Sequence, residues 1–139
     1  MSDQMNIRHK CASQGCWVEQ HAIPFGEFDD CFPGNIKMSD VDGIVEMCGG
    51  YFLLVEWKTV KSVTQGQEIL LKNFSVNSPK QISVVIYGGP GWVSAIRYWS
   101  QGKDSDWRDL DMEGLKQFFC NWSARSQKLS KPTPHQKVY

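Results

Sequence analysis

The sequence predicts a mixed α/β (α+β) fold: one mixed β-sheet flanked by helices. Three observations predict it. Residues 40–47 and 51–58 are strand-like, rich in apolar and β-branched side chains, and flank a Cys48-Gly49-Gly50 turn. Residues 83–89 (SVVIYGG) and 92–100 (WVSAIRYWS) make a second strand-like pair around Pro90-Gly91. Each pair is followed by an apolar stripe at helical spacing: Leu70, Leu71 and Phe74 after the first, and Leu115, Phe118, Phe119 and Trp122 after the second.

Taken in order, residues 1–35 read as irregular, with a short helix over Glu27–Phe32 between the breaks at Pro24-Phe25-Gly26 and Pro33-Gly34. YFLLVEWK (51–58) has the stronger strand pattern of the first pair. Thr64-Gln65-Gly66 breaks the pattern, QEILLKNFSV follows as a helix, and Pro79 ends it. QGKDSDWRDLD, after the second pair, reads as a polar loop. Asp111 is placed to N-cap a helix over 112–126. KLSKPTPHQKVY reads as a solvated tail. The expected organisation is a single domain over 1–127, with 1–35 an irregular Cys-containing segment and 36–127 its core, followed by a basic, flexible tail at 128–139.

The bulk numbers restrict the class. A hydrophobic fraction of 41% with 22% charged residues fits a globular chain and excludes a highly charged disordered one. No apolar run approaches the roughly 20 residues that span a bilayer, and MSDQMNIRHK lacks the basic-then-apolar layout of a secretion signal. A cytoplasmic protein with no membrane partner is therefore expected. Five cysteines, an odd number, argue against a disulfide framework. Net charge is zero but uneven: residues 1–46 carry three basic and eight acidic side chains, residues 97–139 eight basic and five acidic. That polarity leaves room for a basic patch.

The chemistry concentrates in SDVDGIVEMCGGYFLLVEWK, residues 39–58. A three-residue loop at Cys48-Gly49-Gly50 pairs Met47 with Tyr51, sets Asp42 opposite Glu56, and sets Asp40 opposite Lys58. In that register one face is apolar through Val45, Met47, Tyr51, Leu53, Val55 and Trp57, while the acids and the lysine gather at the open end of the other. A two-residue loop would mix the charges into the apolar face. Carboxylates directly across a strand pair sit about 5 Å apart at Cβ. They repel unless a hard cation such as Mg²⁺ or Mn²⁺ lies between them. A lysine two residues beyond Glu56 on the same face can reach an anion held there. This set suits phosphodiester hydrolysis. The simpler reading, a solvated rim of weak ion pairs, stands beside it.

These residues resemble the PD-(D/E)XK nucleases, the superfamily of many restriction enzymes and phage exonucleases. The matching elements are Asp42 in SDVDGIVE, Glu56-Trp57-Lys58 in FLLVEWK, and Gln67 in TQGQEILL, within a match covering roughly residues 36–100 with 111–126 as a closing helix. The wording also resembles small phage and bacterial proteins of that type. The resemblance implies a restriction-endonuclease-like sheet, with Asp42, Glu56 and the Trp57 main-chain carbonyl as metal ligands, Lys58 serving the hydrolytic water, and Gln67 as an accessory. It also implies DNA as substrate, and a homodimer or a larger phage or host DNA-processing complex. The proline of the PD element is absent, Val41 standing before Asp42. Glu27 and Asp40 are candidate accessory acids.

Other constellations compete. Cys11, Cys16, His21 and Cys31 offer four soft ligands for a structural Zn²⁺, although without tight CxxC spacing; buried or surface thiols are the alternative. Arg97, Lys103 and Arg108, near Trp92, Tyr98, Trp99 and Trp107, are candidate DNA contacts, with core packing the alternative for the aromatics. The expectation is a Mg²⁺- or Mn²⁺-dependent deoxyribonuclease. Its rival is a non-catalytic nucleic-acid- or protein-binding module on the same fold, such as a phage accessory or anti-defence protein.

Overall fold

The computed structural model describes residues 24–130. The chain divides into two compact units, one up to Asp40 and one from Val41 onward. In the first unit, a 3-10 helix spans Phe25–Cys31 and no regular element follows it up to Asp40. The short helix expected over Glu27–Phe32 is thus a 3-10 turn that begins and ends earlier. Lys37 and Asp29 make a solvent-exposed ion pair there, 3.8 Å apart.

The second unit is a six-stranded mixed sheet with a helix on each face. Its elements are β1 (Gly43–Met47), β2 (Tyr51–Lys58), α1 (Gln65–Val76), β3 (Gln81–Gly89), β4 (Trp92–Ser100), β5 (Lys103–Asp104), β6 (Arg108–Asp109) and α2 (Met112–Leu129). The order across the sheet is β1-β2-β3-β4-β5, with β6 also on β4. β1 and β2 form a hairpin, as do β3 and β4, and both are antiparallel. β2 and β3 run parallel, joined by a crossover through α1. No helix among the described residues is long and apolar enough to cross a membrane.

Alternation sorts the two cores. Leu53, Val84, Ile86, Val93 and Ile96 face α2 and meet Leu115 and Trp122. Leu54, Val85 and Trp99 face α1 and meet Leu71, with Phe74 and Val63 at the margin. Both central strands are covered on both sides, which is why QISVVIYGG reads as an almost continuous apolar run.

Several boundaries move for identifiable reasons. α1 starts at Gln65 because Thr64 caps it: its Oγ1 accepts from the Gln67 amide at 3.2 Å, and Gln67 Oε1 accepts from the Thr64 amide at 3.3 Å. Asp111 caps α2 as expected, accepting from the Gly114 amide at 2.8 Å. That helix runs to Leu129, so residues 128 and 129, assigned to the tail, are helical. The polar loop at 101–111 contains β5 and β6, each two residues long and too short to show alternation.

Candidate functional site

The hairpin has the expected register. Met47 pairs with Tyr51, and the ladder runs from there to Gly43 opposite Val55. Gly49 and Gly50 take φ of +86° and +80°, the left-handed region that a three-residue loop uses. Continued by one residue, the register sets Asp42 across from Glu56, but Asp42 itself lies just outside β1. Its side chain replaces the ladder: Asp42 Oδ2 accepts from the Trp57 amide at 2.7 Å. The acid therefore caps the strand pair, answering the next β2 donor that faces β1.

A strand residue sends its N–H and C=O to the same edge. The Trp57 carbonyl is thus directed toward the edge where the Asp42 carboxylate sits. Glu56 and Lys58, both half-buried, alternate with Trp57 and lie on the α1 face with Leu54. Across the sheet Glu56 is level with Val85 and then Arg97, and Lys58 is level with Tyr87. Hairpin register and main-chain direction thereby gather Asp42, the Trp57 main chain, Glu56 and Lys58 at one end of β2.

Gln67 occupies the first turn of α1, one turn before the buried Leu71, and is half-buried. Its carbonyl oxygen is occupied by the capping box, which leaves its amide nitrogen as the available donor. Glu27 and Asp40 belong to the first unit. Cys31, also in that unit, is exposed with a free thiol, while Cys11, Cys16 and His21 lie outside the described residues.

The three candidate DNA contacts separate. Lys103 pairs with Ser100 and Arg108 with Ile96, which places both on the α2 side; Arg108 lies over the Tyr98 ring at 5.7 Å. Arg97 is on the α1 side and already committed. Its Nε and one terminal nitrogen take both oxygens of Asp104, and the same nitrogen meets Glu68 Oε1 at 2.6 Å. The guanidinium also covers the Trp99 ring at 4.8 Å. Asp104 and, less strongly, Glu68 raise the Arg97 pKa further above its usual value, and Arg97 holds the Asp104 carboxyl below the usual carboxylate range. Arg97 thus serves as a clamp that fixes the first turn of α1, with Gln67 in it, over the sheet. Sequence inspection missed Glu68 and Asp104 because nothing local links positions 29 and 7 residues from Arg97.

The oxygen donors suit a hard cation: two carboxylates from facing positions and one carbonyl, with water for the rest, is a Mg²⁺-type set. Among the described residues no group of three or more His, Cys, Asp or Glu comes together. No known protein family, curated protein or solved structure matches the chain with statistical significance.

Proposed function

We propose that the protein is a metal-dependent DNA nuclease working through Asp42, Glu56 and Lys58, as the resemblance of SDVDGIVE…FLLVEWK to PD-(D/E)XK enzymes implies. The observation that carries it is the hairpin end, where Asp42 holds the Trp57 amide while Glu56 and Lys58 flank Trp57 on the opposite face. The order of elements supports it too: a strand leading from the acid, a strand ending in Glu-x-Lys, then a helix opening on Gln67.

Asp42, Glu56 and the Trp57 carbonyl would hold Mg²⁺ or Mn²⁺. When bound, the ion supplies a Lewis acid that neutralises phosphate charge and acidifies water. Lys58 positions the water and offsets charge developing on the phosphate. The half-buried setting of Glu56 and Lys58 reduces solvent screening of both charges. Gln67 directs its amide nitrogen at the substrate from the positive end of α1. A homodimer or a larger phage or host DNA-processing complex is the assembly this reading carries with it.

The rival, a non-catalytic binding module, draws on a specific observation: Asp42 and Gln67 each already satisfy a main-chain amide. Purified protein incubated with supercoiled, linear and single-stranded DNA, in Mn²⁺ or EDTA, separates the two. Nuclease action requires Mn²⁺-dependent cleavage that Glu56→Ala and Lys58→Ala both abolish. Asp42→Asn keeps an oxygen for the Trp57 amide, so it should stay folded yet inactive, whereas Asp42→Ala also loses about 1 kcal/mol of stability. Equal cleavage by wild type and the Glu56 and Lys58 variants would refute the assignment, and binding without cleavage would favour the module.

A further inference from the structure

On the α2 side, at the opposite end of β2 from Lys58, the sheet and the second half of α2 line a half-open cavity of about 440 Å³. That volume is within the range of small-molecule sites. Its walls include Tyr51, Tyr98, Phe118 and Trp122. The Tyr98 and Phe118 rings pack 5.3 Å apart at a tilt of 51°. Two cations, Lys80 and Arg125, contribute to the lining, and no acid does.

The two cations differ. Lys80 is held in place, its Nζ donating to the Gly49 carbonyl at 3.0 Å and lying 5.3 Å from the centre of the Tyr51 ring. Arg125 is exposed and meets no carboxylate among the described residues. A lining of flat aromatic walls, positive charge and no negative charge is complementary to a planar ring carrying an anion. A neutral aromatic would leave Arg125 unanswered, and a bare anion would leave the aromatic walls facing water.

We propose that this cavity binds a nucleotide with a terminal phosphomonoester, the base against the aromatic walls and the phosphate on Arg125 and Lys80. The site is separate from the Asp42–Glu56 hairpin end and needs no metal. Its ligand is either a free mononucleotide or the 5′-phosphorylated end of a strand, since both present the same chemistry.

Calorimetric titration of the full chain in EDTA tests it, using AMP, adenosine, inorganic phosphate, and a short oligo-dA with and without a 5′-phosphate. AMP should bind, with adenosine and phosphate each weaker by about tenfold or more. If the phosphorylated oligonucleotide matches or exceeds AMP and its unphosphorylated form does not bind, a strand end is the ligand. If AMP alone binds, it is the free nucleotide. Arg125→Gln, an exposed change, should weaken AMP about tenfold and leave adenosine unchanged. Asn121→Trp, which fills the cavity from α2, should abolish both. Absence of AMP binding in the millimolar range, or equal AMP affinity in wild type and Arg125→Gln, overturns the proposal whatever the outcome of the cleavage assays. If Asn121→Trp does not fold, Arg125→Gln alone decides.

Discussion

At the scale of single residues, the largest electrostatic commitment among the described side chains is Arg97 between Asp104 and Glu68. Asp104→Asn should lower stability by about 1 kcal/mol, less than a buried charged pair because the Asp104 side chain is 32% exposed. The sign of its pH dependence follows from the depressed carboxyl pKa. The stabilisation is complete above the unfolded carboxyl pKa, near 4, and is lost as pH falls through the lower folded value. The urea midpoints of wild type and Asp104→Asn should therefore differ at pH 7 and converge in strong acid. A gap that stays constant from neutral to acid would exclude this origin. Arg97 itself was legible only as a basic residue near aromatics. Its partners come from a helix start and a two-residue strand, which only the folded sheet brings together.

Among the elements, the hairpin was the most legible, and the reason is physical. A period of two makes each candidate register an all-or-none assignment of faces, so the apolar row through Met47, Tyr51, Leu53 and Val55 selects one loop length. β2 and β4 match their expected bounds because their residues alternate or stay apolar throughout. β1 is shorter than expected because an aspartate side chain takes the bond that a strand carbonyl would have taken, an exchange that alternation does not register. The loop glycines are unequal. A Cβ on Gly49 would lie 2.7 Å from the Ser130 Cβ, whereas one on Gly50 meets nothing within 4 Å. Gly50→Ala should cost about 1 kcal/mol, from its positive φ alone, and Gly49→Ala clearly more. Thermal melts check the order, and equal losses would mean that the approach of Ser130 contributes nothing.

For the molecule as a whole, both buried clusters are built from residues between Leu53 and Trp122, inside the second unit. A chain starting at Val41 should therefore melt in one cooperative transition followed by circular dichroism, since none of the core residues among those described is removed. A broad, non-cooperative melt would show that the core depends on the preceding residues. The parallel contact between β2 and β3 also imposes a schedule. Each hairpin closes through a short local loop, but β2 and β3 meet only after the chain from 59 to 80, α1 included, has folded back across them. Leu71, buried beneath that crossover against Val85 and Trp99, belongs to the late step. Leu71→Ala should slow folding markedly, while Ile44→Ala, on the exposed side of β1, should leave the folding rate near wild type. Stopped-flow refolding of the two variants reads this directly, and equal folding rates would place the α1 crossover outside the slow step of assembling the sheet.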